Sequence, residues 1–163
     1  MVPSPRPILH LICGKIAAGK STLAQQLAAA PATLLISEDH WASHLFRDEL
    51  KTLDDYRIYS ARLRAAMGPH VIALLKAGLS VVLDFPANTV ESRLWMRAIA
   101  DEAGCAGVLH VLDPPDAVCL ARLRARNAGG EHPFQTSDAD FALFSRYFVR
   151  PTADEGFQIV VHD

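Results

Sequence analysis

The chain has 163 residues, 50% of them hydrophobic and 21% charged, with a net charge of −2. That length suits one domain with its own core, read as residues 1–163, and leaves little room for a second. The near-neutral charge argues against a grip on long duplex nucleic acid, and no stretch approaches the ~18 apolar residues of a membrane span.

Taken from the start, Met1 to Pro7 carries three prolines and no apolar core of a secretory signal. Ile8 to Cys13 is a short apolar run that stops at Gly14, the pattern of a buried strand. Ser21 to Ala30 is rich in Ala, Leu and Gln and predicts a helix ended by Pro31. Thr33 to Ile36 reads as a second strand, followed by a helix from Glu38 to Leu50. A long helix is expected over Asp54 to Ala77, with a break at Gly68-Pro69 and a cap at Gly78.

Leu79 to Leu83 is a third buried strand, ending at Asp84. Asn88 and Glu91 have capping-box spacing for a helix to Ala103, with Gly104 behind it. Val108 to Leu112 is a fourth strand, and Pro115 to Asn127 a helix carrying Arg122, Arg124 and Arg126. Gly129-Gly130 opens a polar segment to Asp138, a further helix runs to Phe148, and Phe157 to Val161 is the last strand. Strands apolar on both faces, alternating with helices, predict an α/β fold with a parallel sheet covered on two sides. The three cysteines, Cys13, Cys105 and Cys119, are odd in number and widely spaced. That disfavours a disulfide framework or a zinc site and suits a reducing, cytoplasmic compartment.

Residues 14–21 read Gly-Lys-Ile-Ala-Ala-Gly-Lys-Ser, the phosphate-loop pattern, set between a strand and a helix. Gly14 and Gly19 let the backbone turn and approach phosphate oxygens. The N–H groups of the loop, from Lys15 through Ile16, Ala17, Ala18 and Gly19 into the helix start, aim at the anion. Lys20 suits the β- and γ-phosphates, Ser21 a Mg²⁺ ion, and Thr22 further phosphate contact. The Lys15 side chain, outside the motif, is expected in solvent or near substrate.

No N-K-x-D motif for guanine is present, and the chain is short for a large ATPase, which leaves a small Mg·ATP-dependent kinase. Asp39, at the end of the second strand, is placed to take the proton of an attacking hydroxyl. Its rival reading is helix capping by Ser37 with Glu38 and Asp39 favouring the dipole. Asp84 ends an apolar strand, where a carboxylate reaches Mg²⁺ directly or through water. Arg122 and Arg126 share a helix face ahead of a lid spanning about 126–140, where they would meet the transferring phosphoryl group; a solvated face with partners such as Glu131 is the plainer alternative.

With these residues the chain resembles the small P-loop kinases related to polynucleotide 5′-hydroxyl kinase, zeta toxin and chloramphenicol phosphotransferase. The resemblance implies a three-layer α/β/α sandwich with a five-stranded parallel sheet in the order 2-3-1-4-5. It implies that Asp39 is the base, that Asp84 begins the strand-three signature with Arg93 on the helix behind it, and that Arg122 and Arg126 are the pair before the lid. Arg150, in the Pro-x-x-x-Glu-Gly-like stretch 150–156, would lie near the adenine. Many members carry arginine three residues beyond the base, where this chain has Ala42, and Asn88 is displaced from the family's asparagine. The acceptor is therefore read as a small hydroxyl compound, with a nucleic-acid end less favoured. A nucleotide-dependent switch without transfer is the alternative of a different class.

His40 and His44 are read as surface or pocket residues, not metal ligands; Trp41 and Phe46 as core; and Cys13 as a small buried residue beside the loop.

Overall fold

Five short apolar segments form the frame of the molecule in a computed structural model that describes residues 5–130 and 135–163. In chain order the strands are β1 (Ile8–Gly14), β2 (Thr33–Ser37), β3 (Ser80–Asp84), β4 (Ala106–Leu112) and β5 (Gln158–His162). All pair in parallel, in the order β2-β3-β1-β4-β5. Between them run α1 (Lys20–Ala28), α2 (Glu38–Leu45), α3 (Leu53–Lys76), α4 (Val90–Ala103), α5 (Asp116–Gly129) and α6 (Asp138–Arg146).

Strand alternation sorts the core into two layers. Leu9, Leu11, Cys13, Val81, Leu83, Leu109 and Val111 face one way, against Leu63, Met67, Val71 and Leu75 of α3 and Met96, Ile99 and Ala100 of α4. Ile12 and Val82 face the other way, against Ala24 of α1. On that second side Cys119 and Leu123 of α5 pack with Phe141 of α6 and with Ala18 of the phosphate loop. The result is the three-layer α/β/α sandwich in the expected order. Among the described residues no helix is long and apolar enough to cross a membrane.

Three expectations about helices change. α3 runs unbroken through Pro69. The missing N–H and the ring clash of a mid-helix proline cost about 3 kcal/mol, which the burial of Leu63, Met67, Val71 and Leu75 along the same helix outweighs. α2 ends at Leu45 rather than Leu50: Phe46 leaves the helix and packs its ring 4.8 Å from that of Tyr59. Thr89, not Asn88, caps α4, its hydroxyl accepting from Ser92 N–H at 3.1 Å. The lid expectation falls partly on residues 131–134, outside the described residues, as does Glu131. Its flanks are tied by Arg124 to Asp138 at 2.6 Å and by Asn127 Nδ2 to the Thr136 carbonyl at 2.6 Å.

On the α1 side of the sheet, three histidines stand on three adjacent strands. His10 Nδ1 lies 3.0 Å from His110 Nε2, and His110 Nδ1 lies 2.8 Å from His162 Nε2. Each such contact needs one N–H and one bare nitrogen, so the row favours neutral rings. His110 is 5% exposed, and its pKa is lowered to about 4, first by burial and then by its two imidazole neighbours.

Candidate active site

The phosphate loop leaves β1 at Gly14. A Cβ there would stand 2.9 Å from the Leu112 carbonyl oxygen and 3.2 Å from the Ala18 Cβ, so this glycine is required for space rather than for an unusual φ. Gly19 is required for conformation: its φ is 102°, in the left-handed region. Ala17 also sits left-handed, at φ 60°, a backbone cost carried by a non-glycine inside the loop.

The loop ends at the start of α1, and this helix start differs from most others in the molecule. Ser37, Thr52, Thr89 and Ser137 place a side-chain oxygen on the first turns of α2, α3, α4 and α6. At α1 the N-cap is Gly19, no side chain caps the helix, and its first turn contains no acid. Its N–H groups and positive dipole end are left for an anion.

Lys20 folds back over the loop, donating to the carbonyls of Gly14 and Lys15, both at 2.7 Å. Burial lowers its pKa, opposed by the nearby carboxylates of Asp84 and Asp39. The Ser21 side chain lies near the Asp84 carboxylate. Burial, and then the charge of Asp39, raise the Asp84 pKa, while Lys20 and Ser21 pull it down. A hydroxyl and a carboxylate near each other at the loop's end are the hard oxygen donors that Mg²⁺ uses alongside water and phosphate. Among the described residues no group of three or more His, Cys, Asp or Glu could hold a metal ion.

The acidic pair after β2 divides its work. Ser37 caps α2 through His40 N–H at 3.3 Å, so the capping reading holds for the serine. Glu38 is 2% exposed and turned inward: Tyr56 donates to its Oε1 at 3.1 Å, Ser60 also donates to it, and Arg64 stands 3.9 Å from Oε2. Burial raises its pKa. Asp39 is half-buried, and its charge acts on Lys20, Asp84 and Arg126.

The arginines of α5 separate by face. Arg122 donates to the Ala18 carbonyl of the loop at 3.3 Å. Arg124 points outward to Asp138. Arg126 is half-buried with no hydrogen-bond partner on its Nε; burial lowers its pKa and the Asp39 charge opposes that.

Other expected positions fall differently. The Lys15 side chain is held by Asp116 at 2.7 Å and lies over the Phe148 ring, not free in solvent. Arg150 is paired with Asp113, so stacking on a base would first require that pair to open. His40 and His44 are exposed, with rings 4.4 Å apart. Trp41 is 37% exposed and is not core, whereas Phe46 packs against the core.

Two residues were not assigned their structural roles from the sequence. Arg93 is 1% exposed inside α4, bonding Glu155 at 2.7 Å and the carbonyls of Ala87 and Val149 at 2.9 Å. The signal for it is an arginine at the 93-96-100 spacing of a core face. Asn88 contacts the main chain of Gly14 through both atoms of its amide.

A family model described as an AAA domain matches residues 9–151. No curated protein matches the sequence. Among solved structures, a Chloroflexus aurantiacus protein provisionally assigned as a kinase aligns at TM-score 0.79 and 22% identity, covering 99% of this chain and 87% of that one. Chaetomium thermophilum Kti12 bound to ADP-AlF3 aligns at 0.71 and 15%, over 95% and 89%. The Mycobacterium tuberculosis APS kinase CysC, bound to AMPPNP and APS, aligns at 0.61 and 21%, over 98% and 90%. At these identities the likeness is one of fold, that of P-loop kinases and their relatives.

Proposed function

We propose that this chain, which belongs to the AAA domain family, is an ATP-dependent phosphotransferase that moves the γ-phosphoryl group to a hydroxyl of a small acceptor. The observation that carries the reading is the grouping of Lys20, Asp39 and Asp84 within electrostatic reach of one another, with Arg126 within reach of Asp39, beside an uncapped helix start. A nucleotide site alone needs the first of these; a base and an arginine near it are what transfer adds.

The uncapped N–H groups of α1 and the loop receive the phosphates. Lys20 exchanges its two loop carbonyls for phosphate oxygens. Ser21 and Asp84 would hold Mg²⁺, which supplies charge neutralisation on the phosphates when bound. Asp39 accepts the proton of the acceptor hydroxyl as the new O–P bond forms and the bond to ADP breaks. Arg126, with no hydrogen bond on its Nε, is available to the transferring group, and Arg122 steadies the loop at Ala18. Asp39 is favoured over Glu38 as the base because Glu38 is 2% exposed and its Oε1 already accepts from Tyr56 and Ser60.

Ala42 supports a small acceptor over a nucleic-acid end: it is 3% exposed and packed in the core, offering no charge to a substrate phosphate. The free state of all three cysteines suits a reducing compartment such as the cytoplasm. The test is a panel of sugars, nucleosides, aminoglycosides and 5′-hydroxyl oligonucleotides incubated with γ-labelled ATP. Label transferred to a small acceptor, and lost in Asp39→Asn, is the expected result. Transfer to oligonucleotide alone overturns the acceptor class, and hydrolysis without transfer to any of them overturns the kinase.

A further inference from the structure

Beyond the phosphotransferase reading, and resting only on its nucleotide-binding part, we infer that Asn88 is a positioning residue that shapes the phosphate loop and releases Lys20 for the nucleotide. Gly14 is both the last residue of β1 and the first glycine of the loop. β3 stays in register with β1 through the pair Leu11 and Leu83. At Gly14 the Asn88 side chain takes the neighbour's place. Gly14 N–H donates to Asn88 Oδ1 at 2.9 Å, and Asn88 Nδ2 donates to the Gly14 carbonyl at 2.9 Å. A side-chain amide thus offers the donor and acceptor that another strand residue would offer.

The Gly14 carbonyl is shared. Lys20 Nζ donates to the same oxygen at 2.7 Å and to the Lys15 carbonyl at 2.7 Å. When Lys20 turns to a phosphate it abandons both acceptors. A part-buried carbonyl left with no donor opposes that movement. Asn88 keeps a donor on Gly14 throughout, so the lysine leaves without stranding the oxygen.

Asn88 is itself fixed from behind. Its carbonyl accepts from Val149 N–H at 2.8 Å, and the buried Arg93 holds the carbonyls of Ala87 and Val149 on either side. The amide therefore meets Gly14 from a braced loop, not from a free side chain.

The test is calorimetric titration of Mg·ATP into the full chain and into Asn88→Ala and Asn88→Asp, at a temperature where melting curves show each to be folded. Without the Asn88 donor, the departure of Lys20 leaves the part-buried Gly14 carbonyl unpaired, a cost that predicts Asn88→Ala weakening ATP by about fivefold or more. Asn88→Asp keeps the acceptor for Gly14 N–H, loses the donor, and sets a carboxylate beside the Gly14 oxygen and Lys20, so its loss is at least as large. It also carries the measurement if Asn88→Ala does not fold. A purely architectural role would lower the melting temperature and leave the affinity of the folded protein alone. Either folded variant binding ATP within twofold of the parent overturns the inference. A parent chain that binds no ATP instead overturns the nucleotide reading beneath it.

Discussion

Ser21, the last residue of the phosphate-loop motif, lies near enough to Asp84, the last residue of β3, for its hydroxyl to hold down the pKa of that carboxylate. Sixty-three positions apart in the chain, the two meet because β1 and β3 are parallel neighbours whose C-terminal ends open on the same side. If this pair holds Mg²⁺, Asp84→Asn should weaken ATP binding in magnesium by roughly tenfold or more and change it little in EDTA. Calorimetry under the two conditions separates metal from nucleotide; equal losses in both would remove Asp84 from the metal site.

Asp39 and Glu38 are adjacent in sequence and opposite in role. Asp39→Asn should reduce turnover by about 10²- to 10⁴-fold with ATP affinity nearly unchanged. Glu38→Ala should instead destabilise the fold by about 2 kcal/mol, because it removes a buried acceptor shared by Tyr56 and Ser60. Steady-state kinetics and denaturant melts on the same two variants read both effects. A stable Glu38→Ala with abolished turnover would reverse the assignment.

Arg126 and Arg124 sit two residues apart on α5 and face different surroundings. Arg126→Ala should cost about 10²- to 10³-fold in turnover. Arg124→Ala, which gives up an exposed pair with Asp138, should leave turnover as it is. Equal losses from both, measured with saturating ATP, would point to a general charge effect and away from contact with the transferring group.

The histidine row predicts an acid sensitivity of stability. The folded pKa of His110 is lowered from 6.5 to about 4, so the unfolded chain takes up the proton first as pH falls. Stability from this group is complete above pH 6.5, declines between 6.5 and about 4, and declines no further below that. After allowance for water at the ends of the row, the effect is about 2 kcal/mol. Urea melts from pH 7.5 to 4 on the parent and on His110→Gln should show a shallower slope for the variant; parallel curves would show that carboxylates set the slope.

The phosphate loop was legible because its chemistry is local. Gly14 to Ser21 are contiguous, and a strand, a tight turn and a helix start each carry a signature within a few residues. The alternation of apolar runs with helices announced the layers for the same reason. The roles of Asn88 and Arg93 were not legible. Asn88 has the spacing of a helix cap beside Glu91, and only the approach of β1 reveals that its amide is spent on Gly14 while Thr89 does the capping. Pro69 misled in the other direction, since a local rule for breaking helices yields to the burial along the whole of α3.

By itself the sequence determined the sheet's strands, the phosphate-binding loop and the acids and arginines available to it, because backbone preference and apolar period act over a few residues. Only the tertiary structure decided which of them work together. It turned Glu38 inward and left Asp39 half-buried, brought Arg126 within reach of the Asp39 charge and Arg124 to Asp138, and brought Ser21 near Asp84 and Asn88 to Gly14. The physical reason is that hydrogen bonding and charge depend on distances of a few ångströms between segments well separated in the chain, and the packing of helices on the parallel sheet sets those distances.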